Sequence, residues 1–574
     1  MSLSRNIRHF RRKSTYLKQY HTGNSLNVSK MHTKVMSLTQ WKVLRYLRMY
    51  INKISNNKKL QNVINKEITQ ILQKLQPSVY GNEVVRFIES NTTSTTTDVK
   101  KSTEAEATNN KDPGYSLPKV LEGLKIKKNA DNEPKDILPK WKTQTSPVLN
   151  NSITAKTSYV MTLVENASNE YKAGCIQELV AHIKEHPQVK RQVMKEGVLR
   201  MLLKIQQRTA DPEVHGVLNE TFALLGYSKP LPGRGIRILS IDGGGTRGLL
   251  VIEMLRKLEE MTGKRIHDMF DFVCGVSTGA IIACSVGMFK RDLDSLTSLY
   301  RGISTKVFNQ SAIWGTGNLV WSHSYYDTAL WEKHLKEYFG QEELIQSARD
   351  SKCPKVAVLS AIVNQTTISP YVFRNYSLPW KVQSQYMGSH NHKIWEAVRA
   401  SAAAPTYFEE CKLGNLLHQD GGILVNNPTA VAIHEAKQIW PNSPIQCVVS
   451  FGTGRSIPGH LDISNIQISN SSSWKTKFLK ILDSATDTEA VHTMLNDLLP
   501  GNVYYRFNPY LTEMIGLSEI NPKKLEQLER DALMYLRRNE DKFQEAGKVL
   551  CENRRLTQKL FDWINIKREM FLAK

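Results

Sequence analysis

Cysteine is scarce in this chain of 574 residues, seven in all, and no two of them form a CxxC pair. Cys175, Cys274, Cys284, Cys353, Cys411, Cys447 and Cys551 are scattered and odd in number. That fits neither a disulfide framework nor a cysteine-held zinc site, so they read as reduced, mostly buried thiols. The glycine-rich segments lack the Gly-Lys-Ser/Thr of a P-loop, and no run of carboxylates has EF-hand spacing. "SHNHK", with His390 and His392, stands without a third ligand and reads as a solvated loop. No metal and no cofactor is called for. Uninterrupted apolar runs are short as well. "FDFVCGVSTGAIIACSVGMF" (270 to 289) approaches bilayer length, but it holds Asp271 and three glycines. It reads as a buried strand followed by a buried helix, not as a membrane span.

Acid is missing from one end. Residues 1 to 66 hold 15 Lys and Arg and no Asp or Glu, so of the net charge of +23 the rest of the chain carries only 23 − 15 = +8. The protein is therefore not basic throughout. The composition of 1–66 is that of a mitochondrial presequence. Within it Leu38, Trp41, Leu44, Leu47, Ile51 and Ile54 recur at helical spacing, with Lys42, Arg45, Arg48 and Lys53 left for a polar face. Such a helix suits anionic lipid or an import receptor, and the competing reading is a disordered basic tail. No nucleic-acid-binding fold accompanies the charge, so nucleic acid is not expected as a partner.

Residues 67–150 read as a mostly disordered linker, typified by "NTTSTTTDVKKSTEAEATNNKDPGYSLP". Residues 151–230 read as a helical domain built from runs such as "CIQELVAHIKEH" and "KRQVMKEGVLRMLLKIQQR", compatible with armadillo-like stacking but too few to establish a repeat. From 236 to 436 short apolar runs ending in glycine clusters alternate with helical patterns. That alternation predicts an α/β layer with a mostly parallel central sheet flanked by helices. Residues 437–574 read as an extension that completes the sheet and ends in charged helices.

Three motifs belong at the carboxyl edge of that sheet. Gly275-Val276-Ser277-Thr278-Gly279 has the spacing of a nucleophile elbow, with strand-like residues before it and helix-like residues after it. Asp242-Gly243-Gly244-Gly245-Thr246-Arg247-Gly248 offers backbone N–H groups at a helix start, a place for an oxyanion or a phosphate, with Arg247 adding positive charge. Gly243, Gly245 and Gly248 also satisfy GxGxxG, but the acids that follow, Glu259 and Glu260, fall inside a helix, which disfavours a dinucleotide. Asp420-Gly421-Gly422 reads alone as a turn; beside a serine it supplies a fixed carboxylate base. A Ser-His-Asp triad through His434, His460 or His492, or through His418 two residues before Asp420, is the mechanistic rival, and a catalytically silent scaffold is the rival of another class.

In this order and at these separations "DGGGTRG", "GVSTG" and "DGG" resemble the patatin-like phospholipase family. "LHQDGGILVNNPTAVAIHE", "SATDTEAVHTMLNDLLP" and "YYRFNP" sharpen the resemblance to the gamma-type calcium-independent phospholipases A2 within it. The resemblance implies a phospholipid acyl hydrolase of A1 or A2 type, independent of calcium, working through an acyl-enzyme on a Ser-Asp dyad. It places the nucleophile on Ser277, the base on Asp420 and the oxyanion hole on Gly243, Gly244 and Gly245 with Arg247 beside them. Gly248, Gly275, Gly279, Gly421 and Gly422 complete the motifs. The implied partner is a phospholipid membrane surface, and the expected location is membrane-associated in the mitochondrion, with the endoplasmic reticulum membrane as the alternative. The family type's peroxisomal Ser-Lys-Leu is replaced here by "MFLAK", which lowers that expectation. Aromatic-rich "AIWGTGNLVWSHSYYDTALW" (312 to 331) and "WKTKFLKILDSATD" (474 to 487) are the candidate lipid-entering surfaces, with core packing as the plainer reading.

Overall fold

The computed structural model describes residues 151–309, 325–455, 488–513 and 515–572. The presequence-like segment, the linker, His460 and the 474–487 segment lie outside the described residues. So do residues 312–324 of the aromatic stretch; of its remainder, Tyr326 and Trp331 are buried core.

The short apolar runs become β1 (Ile236–Ile241), β2 (Phe272–Val276), β3 (Lys355–Ile362), β4 (Ser369–Arg374), β5 (Met387–Ser389), β6 (Cys411–Leu413), β7 (Leu416–Asp420), β8 (Ile445–Phe451) and β9 (Tyr504–Phe507). They form a single sheet in the order β5-β4-β3-β2-β1-β8-β9, with β7 pairing β3 and β6. The central run from β3 to β9 is parallel, while β4 and β7 run antiparallel to β3. β1 and β2 are buried along their whole length, as strands covered on both faces must be. Successive side chains alternate between two cores: Phe272, Cys274 and Val276 join one, and Val273 joins the other. Among the described residues, no helix is long and apolar enough to cross a membrane. The 270–289 stretch is strand, elbow and helix: β2, Ser277, then Thr278–Ala283 and a π-helical turn through Met288.

Upstream lie α1 (Asn151–Asn166), α2 (Lys172–Glu185), α3 (Lys190–Lys195), α4 (Val198–Arg208) and α5 (Pro212–Leu225), around a second core that includes Val160, Ile176, Leu179 and Leu218 and takes in Ile345 and Met570 from later in the chain. The amphipathic run over 190–208 forms two helices, because Gly197 takes a left-handed φ of 84° between them. α6 (Gly248–Thr262) leads away from the glycine loop. "SHNHK" is a correction: His390 and His392 are half-buried, not solvated. His392 packs edge-on against Tyr371 and Phe373, and burial pushes the His390 pKa down to about 4.

Beyond residue 437, β8 and β9 extend the sheet past β1, and a helix at Glu540–Cys551 packs on them. Phe543 of that helix is fully buried and stacks on Phe507 at 3.9 Å between centroids. Truncation there removes a fully buried ring and its stacking partner's contact. Phe543→Ala is expected to cost about 3–5 kcal/mol of stability, read as a lowered thermal midpoint by intrinsic fluorescence.

Candidate active site

β3 passes its edge from one partner to another. Its residues 355–359 pair with β2 in parallel, and Ser360, Ala361 and Ile362 pair with β7 running the other way. Val276 lies opposite Leu359 and Asp420 lies opposite Ser360. The chain therefore leaves β2 at Ser277 where β7 delivers Asp420. The Ser277 hydroxyl donates to Asp420 Oδ2 at 2.6 Å.

The elbow is strained and crowded. Ser277 sits at φ 54° and ψ −121°, a region non-glycine residues seldom adopt. Gly275 and Gly279 flank it for space: a Cβ on Gly275 would fall 2.2 Å from the Gly279 carbonyl oxygen, and one on Gly279 would fall 2.3 Å from that of Ile241. The Ser277 backbone N–H donates to the hydroxyl of Ser401 at 2.8 Å, and that hydroxyl donates to the Leu359 carbonyl at 2.5 Å. Ser401 is thus a fully buried strut between the elbow and β3.

Asp420 is the last residue of a strand and not a loop residue, which revises the turn reading. It is only 6% exposed, and it accepts from Gly422 N–H on Oδ1 at 2.7 Å as well as from Ser277. Burial raises its pKa to about 6, with the two donated hydrogen bonds opposing that rise.

The glycine loop faces the same pair. A Cβ on Gly243 would stand 3.1 Å from that of Ser277, which places the loop directly above the nucleophile position. Gly243 N–H reaches the Asn426 carbonyl at 3.4 Å, whereas no acceptor meets the N–H of Gly244 or Gly245 among the described residues. The carbonyls are held from behind: Thr453 donates to Gly243 O at 2.6 Å, and Tyr300 donates to Gly245 O at 2.5 Å. Arg247 donates through Nε to Gly244 O at 3.3 Å, so part of its guanidinium braces the loop. Gly248 fits against Tyr300 and Thr278, and Gly421 against the Leu359 carbonyl, at approaches that exclude a Cβ. Asp242 is buried under a bidentate grip from Arg506, at 2.9 and 2.6 Å, and Arg506 also contacts Ser450 and Glu489. Ser401, Thr453, Tyr300 and Arg506 were not readable as site residues: none belongs to the three glycine-bearing motifs, "YYRFNP" holds Arg506 without announcing its role, and the small-residue run "ASAAAP" only hints at close backbone approach near 401.

Ser277, Asp420 and the three loop glycines line one cavity of about 420 Å³ whose walls are apolar, among them Leu299, Ile303, Val307, Leu335, Phe339 and Phe408. No described histidine lines it. His418 is buried with Nδ1 on the Ser360 hydroxyl at 2.9 Å, His434 accepts weakly from Gln385 N–H, and His492 meets Tyr504.

A serine in a strained elbow, a buried carboxylate hydrogen-bonded to it, and open backbone donors beside both define a serine-hydrolase-type centre at the carboxyl edge of an α/β sheet. The patatin-like phospholipase family profile matches residues 239–433. Curated relatives agree. The rat protein named calcium-independent phospholipase A2-gamma is 47% identical over 397 residues, covering 69% of this chain and 50% of the relative. The human protein of the same name is 46% identical over the same coverage. An Arabidopsis thaliana protein named Phospholipase A I is 30% identical over 62% of this chain and 31% of its own. Residues 239–433 are thus a patatin-like phospholipase domain, and the chain spans about half the length of the gamma-type relatives it matches.

Because its folded pKa lies above the ordinary 3.8, Asp420 stabilises the fold fully only below about pH 4, and that contribution is lost as pH rises through about 6. Asp420→Asn, which removes the buried charge, is expected to raise the thermal midpoint relative to the unsubstituted protein at pH 8, with the two converging below pH 4 in a pH series of melts.

Proposed function

We propose that this chain hydrolyses fatty-acyl esters of membrane phospholipids through an acyl-enzyme on Ser277, without calcium. The observation that carries the reading is the 2.6 Å hydrogen bond from Ser277 Oγ to a buried Asp420 at the floor of an apolar cavity. The relatives' printed names point the same way.

Asp420 takes the Ser277 proton as Oγ attacks the ester carbonyl. The N–H groups of Gly244 and Gly245, with Gly243 beside them, receive the developing oxyanion. The proton passes from Asp420 to the departing lysolipid oxygen, leaving the acyl group on Ser277. Water then attacks that ester with Asp420 again accepting a proton, and Ser277 is restored. A carboxylate of ordinary pKa is a weak base for an alcohol; desolvation at Asp420 narrows the mismatch. Ser401 is a positioning residue, because it satisfies the elbow's N–H and holds Oγ toward Asp420. The apolar walls suit an acyl chain. Each step uses Ser277, Asp420 and backbone donors. The Ser-His-Asp alternative would require a histidine that the cavity's described lining lacks, and a silent scaffold would have no use for an intact dyad.

For location we propose membrane association in the mitochondrion, with import machinery as a partner. The support is the acid-free, amphipathic 1–66 segment. Fused to a fluorescent protein, residues 1–66 are expected to direct it to mitochondria; a diffuse signal would remove that part of the proposal.

On defined phosphatidylcholine vesicles, Ser277→Ala and Asp420→Asn are each expected to lower kcat at least 10³-fold, on the scale of losing a nucleophile or its base. Ser401→Ala is expected to lower kcat by about 10–100-fold at unchanged KM, the scale of one buried hydrogen bond left unmade. The rate of the unsubstituted protein is expected to fall as pH drops below about 6, where Asp420 protonates, and to be indifferent to added calcium. Full activity in Asp420→Asn with loss in a single His→Ala variant would replace the dyad by a triad.

A further inference from the structure

At the end of α2, "HIKEH" brings together His182 and Glu185 of the last turn and His186, the residue that caps it, at sequence positions i, i+3 and i+4. Each offers a ligand atom within 4.8 Å of the other two. The rings of His182 and His186 stand edge to face, 5.3 Å between centroids.

His182 is the unusual member. It is 2% exposed, and Nδ1 has no hydrogen-bond partner among the described residues. Nε2 lies 2.9 Å from the Thr157 hydroxyl of α1. That hydroxyl's single proton is committed to the Ile153 carbonyl at 2.7 Å, so it faces His182 as an acceptor. His182 must then carry its proton on Nε2, which leaves Nδ1 a bare, buried lone pair. A core histidine kept for packing would satisfy that atom; an unsatisfied one costs stability. One imidazole nitrogen pinned to an outer-shell oxygen with the other presented bare is how proteins prepare a histidine for a metal. Burial, then the neighbouring His186 and Lys156, lower its pKa and keep the ring neutral.

The other two groups are free to close on it. Glu185 is exposed, and its contact with Lys156 at 3.9 Å joins two well-solvated side chains. His186 is half-buried, with Nε2 3.6 Å from Glu185. Metal bonds of about 2.1 Å set tetrahedral ligand atoms about 3.4 Å apart. Closing from within 4.8 Å to that spacing falls to the two outer side chains, around a buried His182.

We propose that His182, Glu185 and His186 form a divalent transition-metal site of zinc type, three protein ligands and one open position, that fastens α2 to α1 through Thr157. Two imidazoles with one carboxylate favour zinc over calcium or magnesium. The site lies in the upstream helical layer, apart from the cavity that holds Ser277, and stands or falls independently of the hydrolase reading.

The test uses the full chain, stripped with chelator and titrated with Co2+ for ligand-field absorption and with Zn2+ at buffered sub-micromolar free concentration. The unsubstituted protein is expected to bind one equivalent with a raised thermal midpoint. His186→Ala and Glu185→Gln change only outer side chains and are expected to abolish both signals. Thr157→Val, which removes the oxygen that fixes the tautomer, is expected to weaken binding about 10–100-fold. Ser277→Ala is expected to bind as the unsubstituted protein does. Undiminished affinity and stoichiometry in His186→Ala, or no binding at all by the unsubstituted protein, would overturn the site.

Discussion

The site depends on β3 changing partners along a single edge. Residues 355–359 belong to β2, and the next three belong to a strand running the opposite way. A parallel neighbour in place of β7 would bring its amino end to the bottom of the sheet and its carboxyl end to a loop, leaving the carboxylate to a flexible segment. The antiparallel insertion fixes Asp420 by backbone pairing one register step beyond the end of β2. A hydrogen bond of 2.6 Å then follows from sheet geometry and not from a loop search. Strain at Ser277 is tolerable for the same reason: the Ser401 hydroxyl and the β3 carbonyl below it hold the elbow from the side where β7 enters.

The glycine loop is held by a different part of the chain. Thr453 follows β8, Arg506 lies in β9, and Leu517 accepts from Thr246 N–H at 2.9 Å, so much of what stands behind the oxyanion position comes from beyond residue 437, with Tyr300 adding a hydrogen bond to Gly245 O from earlier in the chain. A bare loop of three glycines has the largest backbone entropy to lose. Its usefulness as a preorganised donor set depends on carbonyls that are already occupied, leaving the N–H groups pointing outward. The buried Asp242–Arg506 pair is costly to desolvate and is met by Ser450 and Glu489, which satisfy the remaining donors. Such a pair is better understood as fixing the loop's position than as adding stability.

What was legible in the sequence had a short-range physical cause. GVSTG and DGGGTRG announce themselves because glycine is required where a Cβ would meet backbone at 2.1–2.3 Å, as at Gly245, Gly275 and Gly279, and the strand-to-helix grammar around them is local. The parallel layer followed from alternating buried strands and helices. Asp420 was identifiable as a residue but not as a strand end, since "LLHQD" is neither clearly alternating nor strongly apolar, and its pairing is set by β3 some 60 residues earlier. The split at Gly197 hid because a glycine in a helical run can be tolerated or can reverse the chain. Ser401, Tyr300 and Arg506 act only through distant partners, and sequence spacing holds no trace of that.

The same limit explains why the histidine rival arose and how it loses ground. Chain order alone allows His434 or His492 to follow Asp420 as a triad member. Placement does not: His434 packs edge-on against Tyr386, and His492 packs tilted against Tyr504. His418, on the same face of β7 as Asp420, comes nearest, yet its Nδ1 is engaged with Ser360 and its pKa is pushed down to about 4 by burial. A ring so reluctant to take a proton is a poor base. The work of accepting the serine proton is left to the carboxylate, whose own burial shifts it the opposite way, toward the pH at which such a base is useful. Burial thus disables the imidazole and improves the aspartate, because it penalises whichever form is charged.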